Sequence, residues 1–118
     1  MTPIRVSRRL AGFAVVITIG ISFVTVPARA QDASAIYVQK CVSCHGPQGK
    51  GDGPAGKYLN PKPNDFATSL KDKTDDWIAK SIKGGGGAVG LSRVMPAYAD
   101  LSDDQVKALV DYIKKLGS

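Results

Sequence analysis

The sequence predicts an all-α fold: a small helical domain carrying long loops rich in glycine and proline. Three observations carry that class. Apolar residues recur at helical spacing in separate stretches of the second half, and two of these open on capping residues. No stretch alternates β-branched and polar residues as a half-buried strand would. Between Gly46 and Asn64, five glycines and Pro47, Pro54, Pro61 and Pro63 exclude continuous helix or central strand.

Taken in order, residues 1–30 read as a secretory signal peptide. Arg5, Arg8 and Arg9 form its basic start, and an apolar run from Leu10 to Val26 follows without a charge. Ala28-Arg29-Ala30 closes it with small residues at −3 and −1, which places cleavage before Gln31 and the mature protein outside the cytoplasmic membrane. A retained anchor is the competing reading, since the run approaches the length of a spanning helix. The Ala-x-Ala ending favours cleavage, so membrane contact is expected only through an uncut leader. Residues 31–118 form one domain.

The first helix is expected from Ser34, as N-cap, through Ala35-Ile36-Tyr37-Val38-Gln39-Lys40 into Cys41. The loop after Gly46 carries Tyr58, Leu59 and Phe66 as anchors and reads as ordered. Thr74 caps a short middle helix with Asp75 and Asp76 in its first turn, where they complement the helix dipole. Trp77, Ile78, Ser81 and Ile82 make its narrow face, and Gly84-Gly85-Gly86-Gly87 ends it. Ser102-Asp103-Asp104-Gln105 is a capping box for the last helix. Val106, Leu109, Val110, Ile113 and Leu116 follow at helical spacing, and Lys114, Lys115 and Gly117 suit its end.

The formal charge of +6 shrinks once Arg5, Arg8, Arg9 and Arg29 leave with the leader. Twelve basic side chains then face ten aspartates, a net of +2, so nothing argues for the dense basic face that nucleic acid requires. A domain of about 88 residues is marginal for a core of side chains alone, and its two cysteines allow one short bridge at most. A bulky apolar cofactor would fill the deficit.

Cys41-Val42-Ser43-Cys44-His45 has the Cys-x-x-Cys-His pattern of c-type haem attachment. Two thiols three positions apart on a helical turn face one way, so each can add to a vinyl group of one porphyrin. The adjacent imidazole then lies under the iron, its other nitrogen oriented by a hydrogen bond, usually to a carbonyl. A thioredoxin-like redox pair needs no histidine and sits in βαβ surroundings absent here. A zinc site needs a fourth ligand, for which the chain offers only aspartates. Met95, the one methionine after the leader, lies in a loop between glycines and Pro96. That position suits a thioether ligand to iron, which raises the reduction potential, better than a gap-filling core methionine.

With Cys41, Cys44, His45 and Met95 placed, the chain resembles class I monohaem cytochromes c over essentially its whole mature length. The resemblance implies one covalent haem c and packing of first and last helices around Ala33, Tyr37 and Tyr112, with Ala33 standing where the family usually has glycine. It also implies a proline carbonyl, from Pro61 or Pro63, holding the proximal imidazole, and Val94-Met95-Pro96-Ala97-Tyr98 as the distal-ligand loop. Trp77 reads either as a donor to a haem propionate or as core at the haem contact. Lys57, Lys62, Lys71, Lys73, Lys80 and Lys83 read either as a ring that steers acidic partners or as ordinary solvated surface. The function this implies is a monomeric periplasmic carrier that passes single electrons between redox proteins in brief encounters, and not an enzyme. The alternatives are a haem subunit of a periplasmic dehydrogenase or oxidase complex and an open-site haem enzyme or gas sensor.

Overall fold

The computed structural model describes residues 28–118, with side chains from residue 32 onwards, so the expected leader lies almost wholly outside the described residues. Among these residues the chain is helical, without strands: α1 Ala28–Lys40, α2 Val42–His45, α3 Phe66–Ser69, α4 Asp75–Gly84 and α5 Asp103–Leu116. Two short 3₁₀ turns, Gly56–Tyr58 and Gly86–Val89, lie in the connecting segments.

Helix α1 starts at Ala28, six residues before the expected cap, so Ser34 lies inside a helix and does not cap one. The reason is local. Alanines at 28, 30, 33 and 35 are the strongest helix formers, and no breaker follows Pro27 until Gly46. Helix α4 starts where expected, the Thr74 hydroxyl accepting from the Trp77 N–H. In α5 both bonds of the capping box are made: Ser102 Oγ accepts from the Gln105 N–H, and the Gln105 side chain accepts from the Ser102 N–H.

The main helix–helix contact joins α1 to α5. Ala33 and Tyr37 are buried at this contact, and the Tyr37 and Tyr112 rings meet at 5.4 Å between centroids. Leu109, fully buried, lies with Val106, Val110 and Ile113 along the inner stripe of α5. Helix α4 adds Ile78 and Ile82, and its buried Ser81 hydroxyl is satisfied by donating to the Ile78 carbonyl at 2.7 Å. Two ion pairs strap α4 onto α5: Lys83–Asp103 at 2.8 Å and Lys114–Asp75 at 2.6 Å.

The sequence reading ran the loop through Asn64. Beyond it stands α3, capped by Asp65, whose carboxylate accepts from the Ala67 N–H at 2.9 Å. This single turn drives the Phe66 ring into the core, edge-on to Tyr37 at 6.5 Å. The loop is thereby pinned at its far end, and the Phe66 N–H also donates to the Gly49 carbonyl at 2.9 Å.

Candidate cofactor site

The chain bends between α1 and α2. Cys41 keeps helical dihedrals (φ −118°, ψ −36°) but begins a new turn. The Cys44 and His45 N–H groups both donate to the Cys41 carbonyl, at 3.2 and 2.9 Å. This tight turn sets Cys41, Cys44 and His45 on one wall of a cavity. Both thiols are free and half-buried. Burial pushes the Cys41 thiol up to about 11; the Lys40 ammonium opposes that shift and Cys44 adds to it.

Burial lowers the pKa of His45, which keeps the imidazole neutral, the form that ligates metals. Its Nδ1 is buried and has no hydrogen-bond partner among the described residues. The ring is held instead by Phe66, stacked at 4.8 Å with 29° between planes. The expected proline carbonyl is therefore not bonded to the imidazole, from Pro61 or from Pro63. Of the two, Pro63 comes nearer in role. Its carbonyl packs against Gly51, whose N–H donates to the His45 carbonyl at 2.8 Å. Gly51 has φ +75°, and a Cβ there would run into that proline carbonyl, so no other residue fits without strain.

Met95 comes to the same cavity on a loop held by its backbone. The Gly86 N–H donates to the Met95 carbonyl at 3.1 Å, the Met95 N–H to Ser92 O at 3.3 Å, and the Tyr98 N–H to Ile82 O at 2.9 Å. The glycine run that ends α4 has a second use here. A Cβ on Gly86 would collide with the Ser92 carbonyl and lie 3.2 Å from the Met95 Cβ, so the close approach of the two segments depends on its absence. Tyr98 then donates from its hydroxyl to the Lys40 carbonyl at 2.7 Å.

The cavity measures about 600 Å³, a size suited to a cofactor. Cys41, Cys44, His45 and Met95 all line it, and Leu70, Ile78 and Ile82 belong to its apolar wall. Two thiols, a half-buried neutral imidazole whose Nδ1 is unengaged, and a thioether around an apolar chamber form a donor set that fits haem. No cluster of three or more His, Cys, Asp or Glu able to hold a metal ion occurs among the described residues. Trp77 lines the cavity and packs on the core, with the Lys73 ammonium 4.8 Å above its ring. Of the six lysines singled out, Lys62 and Lys73 line the cavity, joined by Lys40, which the sequence reading omitted. Lys83 is drawn away by Asp103.

An all-helical domain with this site is a c-type cytochrome. A model of the family described as cytochrome c oxidase, cbb3-type, subunit III matches residues 28–113. A relative, cytochrome c-552 of Nitrosomonas europaea, is 36% identical over 87 residues, which cover 72% of this chain and 78% of the relative. The chain belongs to this cytochrome c family, whose cofactor is haem c and whose activity is haem-based electron transfer. Among the described residues no helix is long and apolar enough to cross a membrane.

Proposed function

We propose that the protein is a periplasmic single-electron carrier with one haem c, bound covalently through Cys41 and Cys44 and ligated by His45 and Met95. The observation that carries this reading is the convergence of those four side chains on one apolar cavity. They come from segments some fifty residues apart, and His45 is the only histidine of the chain.

When bound, the haem supplies a one-electron couple; the chain's residues set the conditions under which it works. Thioether ligation by Met95 and an apolar surround tune the potential. Leu70, Ile78 and Ile82 exclude water, and burial holds His45 neutral for ligation. His45 and Met95 would both hold the iron and so leave no place for substrate there, and the chemistry the haem would supply is one-electron transfer. Such encounters bury little surface and are brief, as suits a monomer serving redox partner proteins.

Visible spectra of the exported protein, oxidised and reduced, test the reading. A haem that resists acid–acetone extraction and a low-spin reduced spectrum unchanged by carbon monoxide are the expected results. Carbon monoxide binding at neutral pH would defeat the Met95 assignment and favour an open-site sensor or enzyme. A colourless protein, made with haem-attachment machinery, would defeat the central claim.

A second reading, a haem subunit of an oxidase complex, is favoured by the description of the matching family. Stoichiometric co-purification with membrane partners supports the subunit; recovery as a free monomer supports the carrier.

A further inference from the structure

Helix α1 stops at Lys40 and α2 begins at Val42, and this break has a hydrogen-bonding consequence. In an unbroken helix the Cys44 N–H would close on the Lys40 carbonyl. Here it donates to the Cys41 carbonyl instead, at 3.2 Å. The carbonyl just ahead of the first attachment cysteine thus loses its helical donor. The Tyr98 hydroxyl, from 58 residues further along the chain, donates to it at 2.7 Å. Tyr98 lies three residues after Met95 and is itself fixed by its N–H bond to Ile82 O. We propose that Tyr98 is a positioning residue for Met95: its hydroxyl latches the Met95 loop to the Cys41–His45 turn and so holds the thioether within reach of the iron.

Two further contacts reinforce the latch at the same place. The Lys40 ammonium sits 5.3 Å over the Tyr98 ring and 3.7 Å from the Asp100 carboxylate, so the last residue of α1 also holds the Tyr98–Asp100 segment through its side chain. A near-equivalent bond serves as an internal comparison. The Tyr37 hydroxyl donates to the Gly46 carbonyl, also at 2.7 Å, just past His45. The attachment segment is thus held at both ends by a tyrosine hydroxyl, but only Tyr98 belongs to the Met95 loop. Loss of either bond removes a similar stabilisation from the fold. Loss of the Tyr98 bond also frees the Met95 loop to swing away from the cavity, raising the population that admits an external ligand.

This inference rests on Met95 being the sixth ligand. The test is titration of the oxidised holoprotein with imidazole, followed by visible absorbance, in wild type, Tyr98→Phe, Tyr37→Phe and Met95→Ala. Tyr98→Phe should raise imidazole affinity roughly two- to tenfold, the equivalent of one net hydrogen bond. Tyr37→Phe should lower the denaturation midpoint and leave imidazole affinity unchanged, whereas Met95→Ala should raise affinity far more than either. Equal affinities in wild type and Met95→Ala would sink the ligand reading itself. An increase in Met95→Ala with none in Tyr98→Phe would overturn the latch alone, as would equal increases in both tyrosine variants. Loss of helical circular dichroism in Tyr98→Phe would overturn it too, since a positioning bond leaves the helices intact.

Discussion

His45 shows how much of the site rests on single side chains. Its imidazole is kept neutral by burial, and Phe66 fixes the ring plane from 4.8 Å away. Phe66→Ala should therefore act twice. Truncating a buried aromatic costs about 3–5 kcal/mol of stability, readable by denaturant titration of the holoprotein. Freed of its stacking partner, the imidazole should also broaden in the NMR spectrum of the reduced protein. Met95→Ala should keep its haem, bind carbon monoxide when reduced, and show a lower potential in a redox titration, because the thioether is lost. Cys41, Cys44 and His45 were legible as a motif of fixed spacing and Met95 only as a lone methionine in a loop, and the fold brings all four to one cavity. Phe66 was visible only as an apolar anchor. Its role depends on a fold-back from Gly49 to Phe66 that no local pattern encodes.

Among the elements, α4 and α5 were readable because their start signals are local: Thr74 for one, Ser102 with Gln105 for the other. The start of α1 and the whole of α3 were not. Small alanines hide a helix start that lacks a polar cap, and Asp65 caps a single turn amid loop composition. The capping box carries a direct prediction. Ser102→Ala should cost about 0.5–2 kcal/mol, seen as a lower midpoint in denaturant with unchanged slope. Asp103, in the same first turn, gives a pH-dependent one. The hydrogen bond from Lys83, and then the Lys83 charge, hold its carboxyl pKa below the ordinary range for an aspartate. A depressed carboxylate contributes stability above its unfolded pKa and loses that contribution as pH falls through the folded one. Asp103→Asn should therefore destabilise slightly at pH 7. The gap from wild type should close as the pH of the denaturant titration drops below 4, and should also shrink with added salt, because the pair is exposed.

For the molecule as a whole, the charge layout separates two tasks that the sequence left mixed. From the sequence, the six lysines read either as a ring around an exposed haem edge or as ordinary solvated surface. Folding assigns them differently, because partner choice depends on which helices end up side by side. Lys83 and Lys114 strap α4 to α5 through Asp103 and Asp75. Lys62 and Lys73 lie at the cavity, where their charges add to the local field, with Lys73 held over the Trp77 ring. Residues 31–118 carry a net charge of only +2, so a local field at the cavity matters more than the total of that domain. Oxidation of the reduced protein by an anionic reagent such as ferricyanide should therefore slow as ionic strength rises. The Lys62→Ala/Lys73→Ala double variant should react roughly two- to fivefold more slowly at low salt, a modest share of the steering a charged cleft can exert. In 1 M salt, where charges are screened beyond about 3 Å, variant and wild type should react alike. A cationic oxidant should show the opposite trend with salt and a faster reaction in the variant. Stopped-flow rates with the two reagents read steering apart from any change in potential, because a shifted potential would move both rates the same way.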